Sequence, residues 1–291
     1  MGIDEDKYFS PNASLSDHQS LFTDIIPTIV FKDYYINANS GFDNSSCGDS
    51  ISPCKIRIKS QGYIQNLNSY TKYHILTSSQ DNSLFTISDI GNLELLGLHF
   101  DNLNPNSQNP LIAISSNNNN QIPKLYIADC ELQQDSSSYQ STRSGSGAAI
   151  NADLKQNSAL YIQDQSSFTD CVSQSGNGGG IYSVISGGII KLSGTTFERC
   201  LAENGGGIYI DIDFEFEFEF KINDALIQDC EAKADPTKSY PAGYIGGIFL
   251  IGTGDYDSST KTLDFRWMNI TGNTAGRGGQ SLYIVMTKLA E

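Results

Sequence analysis

The chain has 291 residues and a formal net charge of −15, with 33 acidic against 18 basic side chains. That balance repels a phosphate backbone and an anionic membrane surface, so nucleic acid and acidic lipid are poor partners. Only 18% of the residues are charged, and Ser, Asn, Gln, Thr and Gly fill the polar remainder, a composition that suits a β-rich extracellular surface better than a helical cytosolic one.

No apolar run reaches the roughly 18 residues of a membrane helix. No stretch carries a convincing 3.6-residue apolar period. The opening MGIDEDKYFS has neither the charged nor the apolar region of a signal peptide. The chain is therefore either intracellular or a mature or excised segment of a longer precursor, and its paired cysteines and glycosylation sequons favour the second.

Residues 1–27 read as a polar lead-in, with a glycosylation sequon at Asn12-Ala-Ser. Strand signals begin at 29–31 and 34–36, where β-branched and aromatic residues alternate. A turn-forming segment then carries Cys47 and Cys54, bent by Gly48 and Pro53, with a second sequon at Asn44-Ser-Ser. A small disulfide loop is the first reading of this pair. A metal half-site or two free thiols are the others, and no second Cys pair or His pair has zinc spacing. From residue 55 onward short strands succeed one another, separated by Asn, Ser, Gly and Pro.

GGGIY occurs at 178–182 and again at 205–209, 27 residues apart. A period of this size is the mark of a repeat architecture. First-strand rungs are expected at 148–151, 179–182, 206–210, 246–250 and 278–283. Second-strand rungs start at Leu125, Leu160, Ile189, Phe218 and Leu263 and run on to Cys130, FTDC171, FERC200, IQDC230 and ITGN273, where Phe or Ile stands three residues before Cys or Asn. Each strand is too short to bury a face alone. Stacking successive coils about 4.8 Å apart pairs every strand above and below and builds one continuous core. The expected fold is all-β, a single right-handed parallel β-helix over 28–291. The Phe or Ile should stack inside, with Asn or Cys at the next corner.

GGGIY with FTDC, FERC and ITGN resembles the GGA[ILV] and FxxN repeats of polymorphic outer-membrane proteins and of protist surface proteins with pectin-lyase-like β-helices. The segment YINANSGFDNSSCGDSISPC is similar to the stretch that leads into such helices. The resemblance covers roughly residues 34–285 and implies a cell-surface β-helix. Ile stands here for Ala after the Gly pair, Cys for Asn in four rungs, and Gln280 follows the last pair.

Cys130, Cys171, Cys200 and Cys230 are expected to form one column along one edge. They read as buried free thiols, with one or two vertical disulfides as the alternative; without His, a metal column is not expected. Residues 208–221 alternate strictly, setting Asp211, Asp213, Glu215, Glu217 and Glu219 on one face. The ribbon is long for one rung, so it should bend near Asp213 into two strands or form a flap. Its carboxylates could take calcium, but a solvated face that blocks edge aggregation is the plainer reading.

β-Helices often cleave or bind polysaccharides, which makes a carbohydrate-active enzyme or a calcium-dependent glycan-binding module the alternatives to a scaffold. Arg57-Ile-Lys59 echoes the Arg-Ile-Lys of polygalacturonase-like enzymes but lacks their clustered Asp pairs and Gly-His-Gly. His18, His74 and His99 stand alone in the sequence and read as surface or packing residues, so no catalytic or metal-binding residue is assigned. A third sequon at Asn269-Ile-Thr, the paired cysteines and the resemblance point to a secreted or cell-surface location. After Leu282 a new strand starts and no polar cap comes after it, an end that a partner chain or a second copy could cover. The expected role is a non-catalytic structural, adhesive or assembly scaffold, with glycans as further possible partners.

Overall fold

The structure is a computed structural model that describes residues 28–31, 34–36, 55–65, 70–77, 83–101, 108–134, 145–237 and 242–289. It is all-β, with 56% strand. Apart from a 3-10 turn at Ser258–Thr260 the described residues contain no helix, and none long and apolar enough to cross a membrane.

The strands form sheets of 13, 8 and 3 members, and their ladders run parallel. The chain visits the same faces in the same order. Ile181–Ser186 lies in the eight-stranded sheet, Ile189–Glu198 in the large sheet and Leu201–Ala202 in the small one. Ile208–Asp213, Glu219–Gln228 and Glu231–Ala232 then repeat the circuit one layer on. The next layer is Ile248–Tyr256, Leu263–Arg266 with Asn269–Thr271, and Thr274–Ala275. Each strand thus pairs with its counterpart one circuit away. These parallel layers are compatible with a solenoid.

The alternation of apolar and polar residues fixes which face is buried, since a one-residue slip would turn every apolar side chain outward. Along one lane of the large sheet Leu125, Leu160, Ile190 and Phe220 lie in register and are fully buried. The second lane aligns Phe100, Leu132, Phe168, Phe197, Ile227 and Ile270. Phe168 and Phe197 stack with centroids 4.6 Å apart and planes 3° apart. Full burial of one such ring stabilises by about 1.5–3 kcal/mol.

Corners take left-handed backbone. Between the two lanes of the large sheet stand Asp129, Asp164, Asp224 and Trp267, with φ of 51°, 56°, 55° and 51°. A short polar Asp tolerates this conformation because it bonds locally; Trp267 does not share that excuse. Before the eight-stranded sheet, Gly178 and Gly205 hold φ of 64° and 60°, and Ile245 holds 66° at the matching place. A Cβ on Gly180 would come within 2.8 Å of the Phe197 ring. The last Gly of GGGIY is thus the seat of the stacked phenyl.

The register corrects one expectation. Leu132, not Ile127, is the partner of Phe168, so Cys130 falls level with Leu98 and Ser166 and lies one corner away from the other cysteines. The IxxC spacing of 127–130 spans a different corner from the FxxC of 168–171. Cys171, Cys200, Cys230 and Asn273 do occupy one position, each three residues past an aligned Phe or Ile.

Candidate functional site

All four of Cys130, Cys171, Cys200 and Cys230 are buried free thiols. Within the column, Cys171 Sγ donates to the Leu132 carbonyl at 3.6 Å, Cys200 to Phe168 at 3.4 Å and Cys230 to Phe197 at 3.7 Å. Asn273 does the same with its side-chain amide, donating to Ile227 O at 3.0 Å. Every side chain here thus serves a carbonyl of the preceding layer. Burial, then the neighbouring Cys171, raises the Cys200 thiol pKa well above its usual value. Cys130 is pushed up to about 12 by burial. Thiols held protonated are neither nucleophiles nor ready metal ligands.

The acidic ribbon does bend after Asp213. Ile208–Asp213 ends in the eight-stranded sheet, 214–218 turn the corner, and Glu219–Gln228 starts the large sheet. Its five carboxylates are therefore split among two sheets and a corner. Asp213 accepts the Glu215 N–H at 3.0 Å, and Glu215 and Glu217 are exposed. Glu219 pairs with Lys191 at 2.7 Å and with Lys221. Burial works against the ionised Glu219, but these two lysines outweigh it and hold its pKa below the usual range. Asp211 is pushed upward, by burial and then by Asp213.

Arg57 and Lys59 line a 360 Å³ groove with Tyr63, Gln65, Glu94 and Tyr126. Arg57 Nε donates to Glu94 at 2.5 Å, which sets Glu94 against a guanidinium. Hydrolysis of a glycosidic bond takes two facing carboxylates, and among the described residues Glu94 is the only one lining this groove.

On the outer face of the eight-stranded sheet Tyr182, Tyr209, Phe249 and Tyr283 form a ladder. Their centroids are 5.4, 5.1 and 5.7 Å apart and their planes differ by 19°, 5° and 35°. The two inner rings, Tyr209 and Phe249, each give both faces to their neighbours. The ladder borders a 390 Å³ groove with Tyr244, Ile251 and Val285. Among the described residues its last ring is Tyr283, which is 45% exposed.

Among the described residues, exposed large apolar side chains lie at Ile64, Leu76 and Phe216 and around the strand that carries Tyr283. Trp267 is 78% exposed and Ile284 40%. Leu263, Phe265, Ile270, Leu282 and Met286, which continue buried columns, are only partly covered. Among the described residues Leu282–Leu289 pairs on one side alone, with Ile248–Tyr256. Tyr34–Ile36, at the opposite end of the same sheet, likewise pairs only with Phe85–Ser88.

His74 and His99, which look solitary in the sequence, are register partners on adjacent strands. Their rings lie 4.3 Å apart at 37°, and the cluster includes Asp101. A separation of 25 positions hides this pair; only an alignment of Tyr73-His-Ile with Leu98-His-Phe as equivalent rungs could have found it. Asn269 is exposed at the start of its strand. Asn12, His18, Asn44, Cys47, Cys54 and the 1–27 lead-in lie outside the described residues. No family model, no curated protein and no solved structure matches the chain.

Proposed function

We propose that the chain is a single right-handed parallel β-helix that serves as a non-catalytic scaffold at the surface of a cell or in a secreted assembly, and that it joins end to end with a second copy of itself. The observation that carries this reading is that, among the described residues, Tyr34–Ile36 and Leu282–Leu289 each pair on one side alone, at the two ends of the eight-stranded sheet. A second copy would continue the parallel ladder in the same face order. The interface is heterologous, and head-to-tail contacts that do not close generate filaments. Apolar Tyr283, Ile284 and Trp267 gather at the joining end. The resemblance to polymorphic outer-membrane protein repeats supports the surface location.

A net charge of −15 opposes self-association. Screening weakens that repulsion, so assembly should grow with salt as well as with protein concentration. Sedimentation velocity over a hundredfold concentration range tests the reading. Discrete oligomers that increase with both variables are expected, and Ile284→Lys, which plants a charge on the edge, should return the protein to monomer. A wild-type chain that stays monomeric at every concentration and ionic strength overturns it.

A further inference from the structure

We propose that His74, His99 and Asp101 form a binding site for one divalent first-row transition-metal ion, with zinc the ion their donors suit best. The three residues come from two adjacent layers. His74 faces His99 across the ladder, and Asp101 lies two positions beyond His99 on the same strand, hence on the same face. One donor atom from each lies within 4.8 Å of the others. Modest side-chain rotations close that spacing around an ion that holds nitrogen and oxygen at about 2.0–2.2 Å.

His99 carries the strongest sign. Its Nδ1 lies 3.2 Å from the Glu131 carboxylate, and its Nε2 is buried with no hydrogen-bond partner. A ring nitrogen against a carboxylate keeps its proton, which leaves the lone pair on Nε2. An imidazole oriented by a carboxylate on its far nitrogen is the usual support of a metal-binding histidine. Glu131 is itself held by Lys72 Nζ at 2.8 Å, and Lys72 also pairs with Asp129 at 2.8 Å, so the lysine's charge is already answered.

Two imidazoles and a carboxylate favour a borderline ion over calcium, which takes oxygen ligands. Three protein donors leave a position for water or an outside ligand. Because the donors span two layers, a bound ion would also tie one rung to the next.

The test is calorimetric titration of the full chain, first stripped with EDTA, with ZnCl2, followed by absorbance with CoCl2. One ion per chain is expected. His74→Gln and Asp101→Asn should each weaken binding at least tenfold, and Glu131→Gln about tenfold. All three should unfold like the wild type when metal is absent. Replacing Cys47 and Cys54 by Ser should leave binding intact, and the cobalt spectrum should lack a thiolate charge-transfer band. No saturable site, unchanged affinity in His74→Gln and Asp101→Asn, or a thiolate band would each overturn the proposal.

Discussion

The side chain of Asn273 accepts the backbone N–H of Cys230 at 2.8 Å. The same amide donates to the preceding layer, so Asn273 both gives and takes. Cys171, Cys200 and Cys230 share its donor role, each giving to a carbonyl one layer back. Asn273→Ala strands a buried N–H and a buried carbonyl, and should destabilise by about 1–3 kcal/mol. Asn273→Cys should lose less, because a thiol keeps the donor role. Urea unfolding of the two variants checks this; equal losses would mean that the donated bond contributes nothing.

Trp267 occupies a left-handed corner that Asp129, Asp164 and Asp224 fill in earlier layers. It is mostly exposed, so removing it empties no core. Trp267→Gly should stabilise the chain by about 0.5–1 kcal/mol, the relief of strain being partly offset by the greater freedom of Gly in the unfolded chain. Thermal unfolding at low protein concentration, where chains are separate, reads the effect. A fall in midpoint would show that the indole contributes more than its backbone costs.

Asp211 ionises against burial and against Asp213. A carboxyl whose folded pKa is raised is charged at a cost above that pKa, and the cost disappears as pH falls through it. Asp211→Asn should therefore raise the melting temperature at pH 7 by about 1–2 °C, and the advantage should vanish at acid pH. Glu219 has the opposite sign. Its lysine pairs depress the pKa, so Glu219→Gln should cost stability at pH 7 and nothing once both forms are protonated. Melting curves from pH 3 to 8 separate the two.

The four buried thiols should resist modification. Iodoacetamide applied to native protein at pH 8 should leave Cys130, Cys171, Cys200 and Cys230 unlabelled, and in urea all four should react. Peptide mass spectrometry gives the answer residue by residue. Rapid native labelling of Cys200 would contradict the column's burial.

The strands and their faces are legible in the sequence because their signals are local. GGGIY, the alternation over 208–220 and the Phe or Ile three residues before Cys171, Cys200, Cys230 and Asn273 all carry their own period. Cys130 is misleading because the same three-residue spacing recurs at a different corner. Only the pairing of Leu132 with Phe168 tells the two apart. The acidic ribbon reads as one strip in sequence, yet the corner at 214–218 divides it. His74 and His99 escape a sequence reading for the converse reason: the chain joins them only through the register of two layers, which no local motif encodes.

End-to-end joining is tested most directly by electron microscopy of the purified chain. Rods whose lengths are whole multiples of one unit, longer at higher concentration and salt, are the predicted result, with single units only for Ile284→Lys. Single short particles from the wild-type chain under every condition would contradict it.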